Sequence, residues 1–235
     1  MTGFSTTKVG LSIIVPILNE ATVLPSFIET LLANSFYENQ LIFVDGGSVD
    51  GGAEYISSHE KCTLLKSEKG RAKQMNIGAK AAQFDLLYFL HVDSIPPKNF
   101  DRHILEKNRQ GEKAGCFRMQ FDSNHIALRC TAFATRFNNR FCRGGDQSLF
   151  IDKTLFNQLN GYNELYQVCE DGEFIDRIYK QNGFCVLPQK IITSARRFEE
   201  NGVWQLQFHH GIIHLMRSIG CSPKRLSKYY SFFVK

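Results

Sequence analysis

The amino-acid sequence predicts an α/β fold in which a mainly parallel central sheet is flanked by helices. Segments with strand-like and helix-like patterns alternate over the first 95 residues, which favours parallel strands joined by right-handed helical crossovers. Apolar residues run without alternation through residues 86–90, which is typical of a strand covered on both faces. A chain of 235 residues can also bury a substantial core. We therefore expect a Rossmann-like N-terminal half.

The first half is expected to contain four strands separated by helices. The strands are predicted at residues 11–15, 40–44, 62–65 and 86–94. The helices are predicted from Asn19 through Leu32, through Ile56, and over residues 70–83. The first strand is expected to stop at Pro16, with Asn19 as the helix N-cap. The fourth strand carries Asp93 to the edge of the sheet, where ligands bind in open α/β folds.

The second half has a less regular pattern. Helical or amphipathic segments are predicted at residues 100–110, 126–141 and 171–180, and strands at residues 115–121 and 148–151. A C-terminal helical segment is expected over residues 206–233. Neither repeats nor a linker-like change of composition interrupts the chain. Residues 1–235 are therefore predicted to form a single domain, with a functional division near residue 95.

Composition narrows the class of partner and the cellular setting. The chain has 28 Lys and Arg against 23 Asp and Glu, a net charge of +5, which favours anionic small molecules or an anionic membrane surface. We expect no nucleic-acid partner. The seven cysteines form no Cys-x-x-Cys pair, which favours a reducing cytoplasm over a disulfide framework or a zinc site. Without an apolar signal core or spanning segment, we expect a cytoplasmic protein, at most peripheral at the inner face of the membrane.

Polar clusters follow the predicted strands or begin the predicted helices. They are Asn19 with Glu20, Asp45 with Asp50, Arg71 with Gln74 and Asn76, and His91 with Asp93. Each cluster alone has a structural explanation as a cap, a turn or a solvated helix residue. Together at one sheet edge, carboxylates could hold a nucleoside while an arginine meets phosphate. Neither the Gly-x-Gly-x-x-Gly fingerprint nor a P-loop is present, which disfavours nicotinamide enzymes and P-loop ATPases.

Six motifs occur in order over residues 11–200: PILNE, VDGGSVDG, GRAKQMNIGA, FLHVDS, GGDQSLF and CEDGEF. In this order and spacing the set resembles the family 2 glycosyltransferases with the GT-A fold. The resemblance implies a GT-A-like single domain, in which residues 1–95 bind a nucleotide sugar and residues 96–235 bind the acceptor. It also implies transfer of a sugar from a UDP- or GDP-sugar to an acceptor hydroxyl, with inversion at the anomeric carbon and usually with Mg²⁺ or Mn²⁺.

The resemblance implies roles for individual residues. Asp93 matches the metal-binding aspartate of an Asp-x-Asp motif, and Asp171 matches the catalytic base. Arg71 is expected near the nucleotide. The residues expected around the nucleoside are Pro16, Asn19, Glu20 and Asp45. Both roles agree with the chemistry of sugar transfer. A divalent cation neutralises the charge of the diphosphate leaving group, and a carboxylate removes the proton of the acceptor hydroxyl.

Two positions depart from the family pattern. His91 stands where the first aspartate of Asp-x-Asp is usual, so it could bind a ribose hydroxyl, ligate a softer metal, or simply pack at the end of the strand. Arg196 and Arg197 resemble the Gln-x-x-Arg-Trp element of processive members without its glutamine or tryptophan. We therefore expect transfer of a single sugar, with Arg197 near the diphosphate or an acceptor phosphate.

The C-terminal segment allows several interpretations. His210 and His214 share a helix face, which could hold a metal, although the family pattern does not require one. The mixture of basic and aromatic residues over 206–233 could rest on an anionic membrane, as a lipid-linked acceptor would favour. Packing against the core or against a second subunit in a homodimer is the stronger expectation.

Two other functions fit a parallel sheet with carboxylates at its edge. One is a nucleotidyltransferase acting on a sugar phosphate, although its glycine- and arginine-rich N-terminal signature is missing. The other is a non-catalytic protein that binds a nucleotide sugar. Release of pyrophosphate would identify the first, and tight donor binding without turnover would identify the second.

Overall fold

The computed structural model describes residues 9–181 and 183–234, and it contains one eight-stranded mixed sheet with the order β3-β2-β1-β4-β7-β6-β8-β5. The strands are β1 (Ser12–Ile17), β2 (Gln40–Asp45), β3 (Cys62–Lys66), β4 (Leu86–Phe89), β5 (Ser94–Ile95), β6 (Ala114–Phe121), β7 (Leu149–Asp152) and β8 (Phe184–Thr193). β1 to β4 pair in parallel, as predicted. β7 runs antiparallel to both β4 and β6 and so joins the two halves of the sheet.

Helices flank the sheet. They are α1 (Leu24–Asn34), α2 (Gly52–Ser57), α3 (Arg71–Ala81), α4 (Phe100–Arg109), α5 (Ile126–Ala134), α6 (Lys153–Gln158), α7 (Glu170–Tyr179), α8 (Arg196–Asn201), α9 (Val203–Ser218) and α10 (Pro223–Phe233). None of the helices described is long and apolar enough to cross a membrane.

Apolar side chains cover both faces of the central strands. Ile13 on β1 packs in one layer with α1 and α4, whereas Ile14 packs in a second layer with α3 and α7. The two layers follow from the alternation of side chains along a strand. A third apolar cluster joins the end of β6 to the C-terminal helices and includes Leu206 and Leu226. The buried apolar run is therefore confirmed as a strand covered on both sides, but β4 ends at Phe89 and not at residue 94, and Ser94–Ile95 form the separate strand β5 at the edge of the sheet.

Close packing of α3 on β1 depends on a glycine. A Cβ atom at Gly78 would overlap Ile14 Cγ2 and lie 3.1 Å from Ile14 Cγ1. The helix therefore approaches the strand more closely than any side chain at position 78 would permit. The contact between Gly78 and Ile14 holds α3 against β1, and Arg71, the first residue of α3, therefore lies at the edge of the sheet.

The first strand and first helix differ from their predicted bounds. β1 continues through Pro16 to Ile17. Pro16 is tolerated because its missing N–H points towards β4, and β4 pairs with β1 only as far as Ile14. The prediction that Asn19 caps a helix is wrong, because α1 begins at Leu24 after an N-cap at Val23 that makes no side-chain cap bond.

Two features of the second half also differ from expectation. The amphipathic segment predicted to reach residue 141 is helical only to Ala134. The buried Arg143 side chain accounts for this end, because it donates hydrogen bonds to the carbonyls of Thr135 and Phe137 beyond the last turn. β8 was not predicted, although it lies within the sheet between β6 and β5.

Candidate active site

A cleft of about 490 Å³ opens at the carboxyl ends of β1 and β4. The first half of the chain contributes Pro16 in β1, Arg71 at the start of α3, and the turn at residues 91–93 after β4. The second half contributes a loop around Asp146, the first turn of α7 and one face of α9. This is the edge at which open α/β sheets bind ligands.

Most of the predicted site residues line this cleft. They are Pro16, Glu20, Arg71, His91, Asp93, Asp171 and Arg197. Asn19 and Asp45 are not part of the lining formed by the described residues. The cleft therefore unites residues from both predicted halves of the chain, but it does not include every expected nucleoside contact.

Asn19 and Asp45 instead hold the glycine-rich turn in place. Asn19, at a positive φ of 56°, accepts a hydrogen bond from the Val49 N–H at 2.9 Å. Asp45 is 5% exposed and accepts hydrogen bonds from the Ser48 N–H and hydroxyl at 2.9 and 2.5 Å. These bonds tie the end of β2 to the loop after β1. Direct contact of Asn19 or Asp45 with a nucleoside stays a prediction.

Two polar residues of α3 have structural partners. The buried Gln74 amide donates to the carbonyls of Ile17 and Val44 at 2.9 and 2.7 Å, where β1 and β2 end. Asn76 donates to the Tyr162 carbonyl and accepts from the Tyr162 N–H, both at 2.9 Å. These bonds anchor α3, so Arg71 is the member of that polar cluster left to contact a ligand.

His91 lies between two carboxylates of the second half. Its Nδ1 is 3.6 Å from Asp146 Oδ1, and its Nε2 is 3.8 Å from Asp171 Oδ2. Burial and the Arg71 charge oppose protonation, but Asp146, Asp171 and Asp93 outweigh them and raise the pKa of His91. The imidazole is 6% exposed. His91 therefore faces carboxylates rather than packing only as an apolar end of the strand.

The predicted base begins a helix beside a second buried carboxyl group. Asp171 lies in the first turn of α7, with 14% of its side chain exposed. Its neighbour Glu170 is 3% exposed, and burial, reinforced by the Asp171 charge, raises the pKa of Glu170 to about 7. Asp171 lines the cleft, where its carboxylate would meet a bound hydroxyl group. Asp171 can therefore accept a proton at the edge of the cleft.

Asp93 presents an exposed side chain in the turn after β4, and this residue lines the cleft. Burial, followed by the Asp93 charge, raises the pKa of nearby Glu20, while Arg196 and Arg71 oppose the shift. Among the described residues, no group of three His, Cys, Asp or Glu side chains is arranged to hold a metal. Asp93 alone does fit a weaker kind of site, in which Mg²⁺ or Mn²⁺ is bound by one carboxylate together with phosphate oxygens of a ligand. His210 and His214 lack a third protein ligand of that kind.

The sequence did not identify one wall of the cleft. His210, Ile213, His214 and Arg217 occupy positions i, i+3, i+4 and i+7 of α9, and all four line the cleft. Asp146 was predicted only as part of the GGDQSLF motif, without a role in the site. Helical spacing would have placed Arg217 on the face that carries the two histidines, but only the fold shows that this face turns towards Asp171.

A second basic residue closes this side of the cleft. Arg197 at the start of α8 donates a hydrogen bond to the Tyr230 hydroxyl of α10. Both residues line the cleft, and Arg197 is exposed. The arginine predicted to approach a phosphate is therefore in position to do so.

Comparison with known proteins gives a consistent picture. The model of the family described as glycosyl transferase family 2 matches residues 12–156. A poly-beta-1,6-N-acetyl-D-glucosamine synthase of Staphylococcus epidermidis is 24% identical over 111 residues, covering 45% of this chain and 27% of that protein. The chain thus spans about a quarter of the length of this curated relative.

Two solved structures share the fold at low sequence identity. S. aureus TarS in complex with UDP has a TM-score of 0.65 and 15% identity, covering 95% of this chain and 70% of that one. The mannosyltransferase PcManGT from Pyrobaculum calidifontis, in complex with GDP-Man and Mn²⁺, has a TM-score of 0.66 and 15% identity, covering 89% and 64%. These similarities show that the fold is that of the GT-A glycosyltransferases.

Proposed function

The chain belongs to glycosyl transferase family 2, and we propose that it transfers one sugar from a nucleoside-diphosphate sugar to an acceptor hydroxyl with inversion at the anomeric carbon. The observation that supports this most directly is the pairing of Asp93 and Asp171 in one cleft of about 490 Å³. One carboxylate is exposed in the turn after β4, and the other lies in the first turn of α7. This is the arrangement that donor binding and acceptor activation require.

The donor would lie along the sheet edge. Pro16, Glu20 and Arg71 line that part of the cleft and offer an apolar surface, a carboxylate and a guanidinium to a nucleotide. UDP and GDP-Man are bound by two relatives of the same fold, so UDP- and GDP-sugars are the donors to test. Asn19 and Asp45 would shape this region through the glycine-rich turn, and direct contact with the nucleoside remains part of the proposal.

The reaction is a single displacement. Asp171 takes the proton from the acceptor hydroxyl as its oxygen forms a bond to the anomeric carbon. The bond from that carbon to the diphosphate oxygen breaks, and its electron pair leaves with the nucleoside diphosphate. Attack from the face opposite the leaving group inverts the anomeric carbon. General base catalysis of this kind typically contributes about 10²- to 10⁴-fold to the rate.

Asp93 would hold the divalent cation. Mg²⁺ or Mn²⁺ would supply positive charge to the diphosphate as it leaves. One relative of the same fold was solved with Mn²⁺. His91 Nε2 is 3.8 Å from Asp171 and its Nδ1 is 3.6 Å from Asp146, so the imidazole would act on both carboxylates through charge, and this would give the departure from the Asp-x-Asp pattern a role.

The proposal extends to the organisation of the chain. Residues 1–235 would act as one glycosyltransferase domain, with residues 1–95 binding the donor and residues 96–235 the acceptor. The seven cysteines are unpaired in the structure, which supports a cytoplasmic location. Transfer would stop after a single sugar, because the processive Gln-x-x-Arg-Trp element is incomplete, and the acceptor could be lipid-linked.

An exposed apolar stripe on α9 supports contact with a membrane. Trp204, Phe208, Leu215 and Ile219 lie on one face of this helix, and each is more than 60% exposed. α10 adds exposed basic residues close by in sequence, namely Lys224, Arg225 and Lys228. Apolar side chains bordered by basic ones suit the surface of an anionic bilayer. A homodimer through the same stripe is the alternative.

The proposed activity can be tested with purified protein and a panel of UDP- and GDP-sugars in the presence of Mn²⁺ or Mg²⁺. We expect binding and slow hydrolysis or transfer with at least one donor. Asp171→Asn should abolish turnover and still bind the donor, whereas Asp93→Asn should weaken metal-dependent donor binding. Full activity of Asp171→Asn would remove Asp171 from the role of base.

The same panel separates the other two functions. A nucleotidyltransferase would release pyrophosphate from a nucleoside triphosphate and a sugar phosphate. A binding protein would hold the donor tightly without turnover, and Asp171→Asn would not alter that binding. Binding of none of the nucleotide sugars would contradict the proposed transferase.

A further inference from the structure

Arg217 is a buried cation on the cleft-facing side of α9. It is 8% exposed, and its Nε and Nη1 atoms make no hydrogen bond to any described residue. Its nearest carboxylate oxygen is Asp176 Oδ2, 3.7 Å from Nε, while Arg140 Nη1 lies 4.0 Å from the other Asp176 oxygen. One carboxylate thus faces two guanidinium groups. A buried donor without a partner costs on the order of 1–3 kcal/mol.

Arg217 packs against the first turn of α7, the helix that carries the predicted base. Its guanidinium occupies the space that a side chain at position 172 would need. A Cβ atom at Gly172 would overlap Arg217 Nη1 and lie 2.5 Å from Cζ. Gly172 follows Asp171 in the first turn of α7. Arg217 and Asp171 both line the cleft, so a group bound by Arg217 would be held in the same cleft as the carboxylate proposed to accept the acceptor proton.

The neighbouring histidines add hydrogen-bonding capacity but no positive charge at neutral pH. Burial, followed by the Arg217 charge, lowers the pKa of His214 to about 4. Burial also lowers the pKa of His210. The permanent charges on this side of the cleft are therefore those of Arg217 and Arg197, and an arginine fork matches the oxygens of a phosphate or a carboxylate.

We propose that the acceptor carries an anionic oxygen group, a phosphate or a carboxylate, which Arg217 binds in the same cleft as Asp171 with His214 and His210 as neighbouring hydrogen-bond partners. This inference rests on the proposed function, since it describes the acceptor of that same cleft. A neutral acceptor would leave Arg217 with only the Asp176 carboxylate at 3.7 Å, and its Nε and Nη1 atoms would still lack an anionic hydrogen-bond acceptor. Arg71, together with a cation held by Asp93, would be the partner of the donor diphosphate.

The test uses the full chain saturated with Mn²⁺ and UDP or GDP, so that the donor position is filled. Inorganic phosphate and acetate are then titrated as probes at constant ionic strength, with binding measured by calorimetry. We expect millimolar binding of at least one probe. Arg217→Met should weaken it about tenfold or more, the loss expected for one charge-assisted hydrogen bond. Arg225→Met, on an exposed position of α10 outside the cleft, is the matched control.

Two further measurements complete the test. The Nε–H resonance of Arg217 in the wild-type protein should shift during the same titration, which reports on the site even where Arg217→Met fails to fold. Competition between glycerol 3-phosphate and vesicles that contain phosphatidylglycerol then distinguishes a soluble phosphate from a lipid headgroup.

The outcomes separate this inference from the proposed function. Probe binding that depends on Arg217 supports an anionic acceptor. Nucleotide binding with no probe binding, or with equal binding in Arg217→Met, overturns the anionic acceptor and leaves the transferase standing. A nucleotide affinity that falls in Arg217→Met would instead assign Arg217 to the donor and also overturn it. Failure of the wild type to bind any nucleotide contradicts the proposed function itself.

Discussion

The backbone of Gly145 packs so closely against the Asp171 carboxylate that a side chain at position 145 would overlap Asp171 Oδ2. The same Cβ atom would lie 2.8 Å from His91 Cε1. The neighbouring Gly144 has open space, with no heavy atom within 4 Å of its Cβ position. Gly144 is also extended, at φ −159° and ψ 167°, which any residue adopts. Two adjacent glycines therefore differ sharply in what they contact.

Gly145→Ala should lower kcat strongly, because it displaces the base and the imidazole that contacts it. A shift of about 1 Å in a catalytic group can cost about 10²-fold. Gly144→Ala is the matched comparison: Gly144 also lines the cleft, but its added methyl group meets no described protein atom, so kcat should fall much less than in Gly145→Ala. Turnover of the donor identified in the panel measures both variants. Equal activity in the two would mean that Asp171 does not need this position.

Stability should depend on pH through Glu170. Its pKa is raised from 4.5 to about 7 in the folded protein, chiefly by burial. The folded state therefore binds the proton more tightly than the unfolded state, so stability falls as pH rises from about 4.5 to about 7 and then levels off. Over this pH range the free energy of unfolding should fall by a total on the order of 1–3 kcal/mol.

Glu170→Gln should remove this dependence and make the protein more stable than the wild type above pH 7. Urea unfolding at several pH values measures the effect. Glu199→Gln, on an exposed position of α8, is the control and should follow the wild type. A wild-type stability that rises between pH 5 and 7, and equally so in Glu170→Gln, would contradict the assignment.

The sequence predicted the first half of the cleft better than the second, for physical reasons. Parallel strands place their carboxyl ends at one edge, so strand periodicity brought Arg71 and Asp93 together, and the resemblance to family 2 glycosyltransferases added Pro16. Residues from the second half reach the cleft through tertiary packing. Asp146 arrives on a loop beside β7, and Arg217 arrives on a helix far along the chain, which no local pattern specifies.

The type of a side chain does not determine which partner it bonds. Asn19 has the side chain of a helix cap, yet in the structure it accepts a hydrogen bond from Val49 in another loop.

Strand β8 was not predicted because Pro188 interrupts its strand-like pattern. In the structure the register with β6 jumps from Leu187 to Lys190, so Pro188 lies in a bulge where no ladder hydrogen bond is required.

Gly172→Ala should displace Arg217 and weaken binding of an anionic acceptor. The added methyl group overlaps the guanidinium, which has to move away from α7. Gly211→Ala on α9 is the matched control, since no heavy atom lies within 4 Å of its Cβ position. Replacing a helical glycine by alanine there should leave stability unchanged or raise it by up to about 1 kcal/mol. Phosphate titration and thermal unfolding compare the two, and unaltered phosphate binding in Gly172→Ala would argue against a fixed Arg217.

The apolar stripe of α9 predicts binding to anionic vesicles. Trp204 and Phe208 are 67% and 66% exposed, and entering the bilayer interface would remove this apolar area from water. Replacing both by serine should weaken partition about tenfold or more. Phe36→Ser is the control, because Phe36 is 55% exposed but lies in the first half of the chain. Sedimentation with vesicles that contain phosphatidylglycerol should show binding that falls with added salt, since the basic residues of α10 contribute through screened charge. Equal sedimentation of the wild type and the double variant would contradict membrane binding through the stripe. If the wild type then forms a concentration-dependent dimer that the double variant does not form, the partner of the stripe is a second copy of the chain.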